Sequence, residues 1–129
     1  MDATGVGAPV VEMLRQQQTE ASITPVIITS GDVETHPGSN YGVPKKDLVG
    51  AVALMMQNRG LAIPRRSRYA GTLIAEMHDF RIRFLPGGYT TYGAWRERDH
   101  DDLVLATALA CWKAFRLWPD FNSPQARMT

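Results

Sequence analysis

The sequence predicts an α/β domain with a mixed sheet, and three observations carry that expectation. Short β-branched runs alternate with longer stretches whose apolar residues recur at helical spacing. Glycine and proline punctuate the junctions between them. The chain has 129 residues, 44% of them hydrophobic, enough for a single core that buries roughly two thirds of the unfolded surface.

DATGVG, Asp2 to Gly7, reads as a strand end handing over to a helix through a glycine turn. Pro9 stands at a first helical position, where its missing N–H costs nothing, and Val10, Val11, Met13 and Leu14 give that helix an apolar side. The helix dissolves in the polar run from Gln16 to Glu20. Ile23 to Thr29 predicts a strand, with Pro25 pushing its start toward an edge or a bulge. Ser30 to Gly42 carries three glycines and Pro37, as a long loop or a hairpin would.

Pro44 opens a second helix that runs through Arg59. Leu48, Val52 and Met55 share one of its faces, the Met55–Met56 pair belongs to the core, and Gly60 is placed to stop it. Leu61 to Pro64 predicts a short strand. Tyr69 to His78 predicts a third helix with Leu73, Ile74 and Met77 facing inward and Gly71 as its weak point. Arg81 to Leu85 alternates basic and apolar residues like an edge strand, and Pro86-Gly87-Gly88 turns it into Tyr89 to Tyr92 as a hairpin. The last helix, Asp101 to Trp118, is apolar nearly all round and must be buried against a sheet or another helix. Residues 1–118 form the domain and 119–129 a frayed tail.

The net charge of +1, from 14 basic and 13 acidic residues, means that any nucleic-acid surface is local. The single cysteine, Cys111, excludes an internal disulfide and suits a reducing compartment. It shares a helical stripe with Val104, Ala108, Phe115 and Trp118, which makes it a core residue. No run approaches the roughly 18 apolar residues of a membrane span, and no signal peptide is evident. The expected location is the bacterial host cytoplasm, with no membrane partner.

The chemistry concentrates at two places. His100-Asp101-Asp102 puts adjacent carboxylates at the mouth of the last helix, and Asp2 precedes the glycine turn. Carboxylates gathered from strand and helix ends commonly hold divalent cations for phosphodiester chemistry. The plainer reading is structural: an aspartate at a helix start caps free N–H groups, and Asp2 closes an Asx turn. His100 is a proton shuttle, an outer-shell partner, or a packing residue. Lys45 and Lys46 stand at a helix start that favours anions, Arg65, Arg66 and Arg68 cluster beside Tyr69, and Arg96 and Arg98 approach the acidic pair in sequence. All are candidate DNA-binding residues, with solvated surface charge as the alternative. His36 and His78 have no partners at metal-ligand spacing and read as structural or surface residues. GVGAPV lacks the third glycine of a dinucleotide fingerprint, and no Gly-Lys-Ser/Thr follows it.

DATGVGAPVVEML, YGVPKKDLVGAV, GTLIAEMHDF and TYGAWRERDHDDLVLATALACW together resemble the C-terminal nuclease domain of the terminase large subunit of tailed bacteriophages, in the family's order and from Asp2 to about Trp118. The resemblance implies a ribonuclease H-like fold, a mixed sheet flanked by helices, of which this chain would be the distal portion. It implies a two-metal endonuclease using Mg²⁺ or Mn²⁺ that cuts concatemeric double-stranded DNA during genome packaging. Asp2 matches the family's second acidic position and Asp102 the third, with Asp101 as an auxiliary ligand and His100 as an outer-shell group. The family's first acidic residue lies on an opening strand that this sequence does not contain, and the ATPase motif is absent as well. That departure predicts an incomplete enzyme, partnered by a separate upstream terminase segment, the portal or the small terminase subunit. The competing readings are a non-catalytic DNA-binding or assembly remnant and a resolvase of another ribonuclease H-like family.

Overall fold

The computed structural model describes residues 1–5, 7–17, 19–83 and 102–119, with backbone alone for residues 79–83. Among them lie four helices and a two-stranded parallel sheet, so the chain is broadly α/β. In order these are α1 (Gly7–Gln16), β1 (Val26–Thr29), β2 (Tyr41–Pro44), α2 (Lys45–Gln57), α3 (Ala70–Arg83) and α4 (Asp102–Leu117).

β1 and β2 run parallel, with Val26 opposite Tyr41 and Thr29 opposite Pro44. On the other side of β1, Asp2 forms a parallel bridge to Val26. The Val26 N–H donates to the Met1 carbonyl at 2.8 Å, and the Ala3 N–H donates to the Val26 carbonyl at 2.7 Å. One step further the chain has already turned away at Gly5, so the Ile28 N–H donates to the Thr4 hydroxyl instead, at 2.9 Å. A threonine side chain thereby completes the ladder that the backbone leaves.

β2 was hidden in what reads as loop and helix start. A four-residue strand containing Gly42 and Pro44 has little intrinsic strand preference. It forms because β1 pairs with it on one side and Thr35 bridges Gly42 antiparallel on the other. The hairpin alternative for residues 30–42 therefore has a partial counterpart in that bridge.

The core joins Val26 and Val43 of the sheet to Leu48, Val52 and Met55 of α2 and to Ala108, Cys111 and Trp112 of α4. α4 packs chiefly on α2 and more lightly on α3. α2 ends in a Schellman-type cap: the Gly60 N–H donates to the Met55 carbonyl and the Arg59 N–H to the Met56 carbonyl. The left-handed residue of this cap is Arg59, at φ 54°, rather than the expected Gly60.

Several expectations are corrected. Leu61 to Pro64 is not a strand, because no segment among the described residues pairs with it and Pro64 lacks an N–H. Arg81 to Arg83 continue α3, since three alternating residues fit a helix equally well when a hydrogen-bonded turn already precedes them. α4 therefore does not rest on a sheet containing that segment. Ile74, Met56 and Trp118 are exposed, and in α1 only Val11 is buried while Val10 and Met13 face solvent. Phe84 to Tyr92, with the expected hairpin, and the tail from residue 120 lie outside the described residues. Among the described residues no helix is long and apolar enough to cross a membrane.

Candidate functional site

Asp2 lies in the short segment that edges the sheet, and its geometry follows from the residues after it. Its Oδ1 accepts the Thr4 N–H at 2.8 Å, the Asx turn that the sequence admits. Gly5 takes a left-handed φ of 56° and redirects the chain. A Cβ at Gly7 would collide with the Asp2 carbonyl oxygen, so only glycine lets α1 begin against the strand it has just left.

At the other end of the chain, Asp102 is the first residue of α4 and is exposed. Capping of this helix is done from a distance. Glu76 of α3 reaches across, and its Oε2 accepts the Leu103 and Val104 N–H groups at 3.0 and 3.1 Å. A carboxylate on two helix-start donors is charge-assisted and complements the positive end of the helix. The bonds that the capping alternative assigned to the aspartates at the mouth of α4 are therefore held by Glu76. Nothing local in the sequence marks Glu76 for this, since its partners are 27 and 28 residues away.

Asp2 and Asp102 line one open groove of about 800 Å³, together with Val26 and the α4 residues Leu105, Leu109 and Lys113. A second cavity of about 230 Å³ holds Asp2, Thr4, Ser30, Lys45 and Leu105. Lys45 and Lys46 also line a third, of about 100 Å³, with Thr29 to Asp32. Lys46 Nζ lies 2.7 Å from Asp32 Oδ1, and this hydrogen-bonded cation holds the Asp32 carboxyl below its ordinary range. Lys45 thus neighbours Asp2 at the C-terminal ends of the strands. Arg65, Arg66 and Arg68 instead occupy the exposed connection between α2 and α3, where the Arg68 guanidinium sits 5.4 Å from the Tyr69 ring centroid. None of the three lines the groove. Asp101, His100, Arg96 and Arg98 lie outside the described residues.

As a cation site, the groove offers oxygen donors of the type that Mg²⁺ and Mn²⁺ prefer. It offers two carboxylates, and among the described residues no group of three His, Cys, Asp or Glu side chains gathers as a metal site.

A second cluster escaped sequence reasoning altogether. Glu34 Oε1 accepts from Arg116 Nη1 at 2.8 Å and lies 3.5 Å from His36 Nε2, while Glu34 Oε2 accepts from Trp112 Nε1 at 3.4 Å. The Arg116 guanidinium sits 5.0 Å from both the Tyr41 and Trp112 ring centroids. Tyr41 meets His36 and Trp112 edge to face. The cluster straps the segment before β2 onto α4, which gives His36 a structural role. Its partners are separated by 78 and 82 residues, beyond any local pattern. Cys111 is buried, and burial pushes its thiol up, so it stays protonated and unreactive near neutral pH.

The chain matches no known family model, curated protein or solved structure.

Proposed function

We propose that this chain belongs to a ribonuclease H-like, metal-dependent DNA endonuclease of the terminase type, acting on double-stranded phage DNA in the bacterial cytoplasm. The observation that supports the reading most is that Asp2 and Asp102, 100 residues apart in sequence, line the same groove. That Glu76 takes the helix-start N–H groups adds weight, because the Asp102 carboxylate is then not committed to capping.

In this reading Asp2 is oriented by its bond from the Thr4 N–H and presents its second oxygen, while the rigidly packed α4 holds Asp102 in position. Mg²⁺ or Mn²⁺ bound there would activate a water and stabilise the leaving oxygen of an in-line phosphodiester hydrolysis. Lys45, in the cavity that shares Asp2, and Lys46 beside it would bind backbone phosphates through charge and through the N-terminus of α2. Asp101 and His100 would assist from the residue pair preceding α4. A separate terminase segment, the portal or the small terminase subunit would be the protein partner.

Mn²⁺ titration followed by thermal unfolding tests this. A cation that prefers the native state raises the melting temperature, and Asp102→Asn is expected to abolish that rise while Asp101→Asn only reduces it. A rise that survives unchanged in Asp102→Asn would return that residue to a purely structural role.

A further inference from the structure

Charge sets apart the connection between α2 and α3, residues 58–69. Residues 48–75 include Arg59, Arg65, Arg66 and Arg68 and no carboxylate, so all 13 acidic residues lie elsewhere in a chain of net charge +1. All four arginines are exposed. Screening limits the reach of a surface charge to about 8 Å at physiological salt, so a balanced total does not cancel a local cluster.

The backbone holds these residues in defined places. The Ser67 N–H donates to the Pro64 carbonyl at 3.0 Å and the Ala70 N–H to the Ser67 carbonyl at 3.1 Å, which makes two successive turns that share Ser67. Arg65 and Arg66 occupy the corner of the first turn, Arg68 and Tyr69 the corner of the second. The guanidinium of Arg68 is steadied by the Tyr69 ring. Arg59 stands in left-handed backbone at φ 54°, a conformation that glycine adopts at less cost, so local stability does not explain an arginine there.

The side chains are also uncommitted. Arg15 donates to Ser39 and Arg116 pairs with Glu34. Among the described residues none of the four arginines of the connection makes a hydrogen bond or an ion pair.

Chemistry then selects the partner. An arginine fork matches phosphate oxygens two at a time. Carboxylates would suit the same forks, but an acidic peptide also needs pockets for its other side chains, and a bilayer needs apolar anchors. The larger aliphatic side chains of the connection, Leu61 and Ile63, are half-buried and offer neither. A nucleic-acid backbone asks only for a series of phosphate contacts.

We infer that the α2–α3 connection is a nucleic-acid contact, separate from the groove, that grips the phosphodiester backbone through Arg59, Arg65, Arg66 and Arg68. It needs no cation and stands whether or not Asp2 and Asp102 share one.

The probe is a fluorescein-labelled DNA oligonucleotide of mixed sequence, titrated by anisotropy in EDTA as a single strand and as a duplex. Between about 50 and about 200 mM salt, affinity is expected to fall roughly 50-fold for the single strand or roughly 150-fold for the duplex, as about four phosphates regain their counterions. The arm that binds more tightly identifies the source of the backbone. Arg65→Gln, Arg66→Gln and Arg68→Gln together are expected to weaken binding about tenfold or more at the lower salt and to flatten its salt dependence. Arg59→Gly removes one cation and suits the left-handed backbone, so its expected loss of about one phosphate contact is not a loss of folding. Arg15→Gln, on α1, changes the net charge equally and is expected to leave affinity within about twofold. No binding up to about 100 µM at the lower salt, unchanged affinity in the triple variant, or an effect of Arg15→Gln as large as that of Arg59→Gly would each overturn the inference. Polyglutamate that competes as well as DNA would assign the surface to acidic polypeptides and overturn it too. Because EDTA strips any cation, these titrations succeed or fail independently of the Mn²⁺ response that tests the nuclease reading.

Discussion

Along α4, Val104, Ala108 and Cys111 turn toward the core and are buried, Asp102, Leu105, Ala106, Ala110 and Lys113 line an open groove, and Trp112 and Leu109 sit between the two, touching both. Both faces are rich in apolar residues, and composition does not tell them apart. The buried face carries the shapes that interlock with α2 and the sheet, bordered by an indole whose N–H reaches Glu34. The open face alternates leucine with alanine and has carboxylates at its mouth. Apolar content therefore fixes that a surface prefers to be covered, while the position of neighbouring elements decides how far the described residues cover it.

The contrast makes graded predictions. Trp112→Ala removes the largest buried side chain of α4 and a polar partner of Glu34, and urea unfolding is expected to show a loss of about 3–5 kcal/mol. Glu76→Ala strips the start of α4 of its acceptor for two N–H groups, with an expected loss of about 2–3 kcal/mol by the same measurement. Glu76→Gln keeps an acceptor and should lose less, and fraying of the first turn of α4 in the alanine variant should appear as faster amide exchange at Leu103 and Val104. At the start of α1, Gly7→Ala drives a Cβ into the Asp2 carbonyl and is expected to cost about 1–2 kcal/mol. Ala110→Lys, at an exposed position on the open face, should change stability by less than about 0.5 kcal/mol. A large loss in Ala110→Lys would erase the distinction between the two faces.

What the sequence makes legible is local. Helical spacing in KKDLVGAVALMMQ places Leu48, Val52 and Met55 on the buried side of α2, and the run from Asp102 announces α4. Ile23 to Thr29 contains β1 because β-branched residues dominate it. The failures share a cause, which is that a distant partner decides the outcome. Tyr41–Pro44 becomes a strand only through its neighbours, and Leu61 to Pro64 has no pairing neighbour among the described residues. The all-round burial expected of α4 follows from its composition but not from its surroundings. At the site, the Asx turn of Asp2 and the exposed start of α4 could be anticipated from residue types. The carboxylate of Glu76 crossing to α4, and the Glu34 strap across Tyr41, Trp112 and Arg116, have no signature at short range.

The proposed function requires that Asp2 and Asp102 contribute to one cation site in the same groove. Paramagnetic broadening by Mn²⁺ in ¹⁵N spectra addresses it directly, because signals disappear only around the bound ion. The amides at Asp2 and Asp102 are expected to broaden together at the same Mn²⁺ concentration, and Asp102→Asn is expected to release both. Broadening confined to one of the two residues, or broadening at Asp2 that persists unchanged in Asp102→Asn, would contradict a shared site.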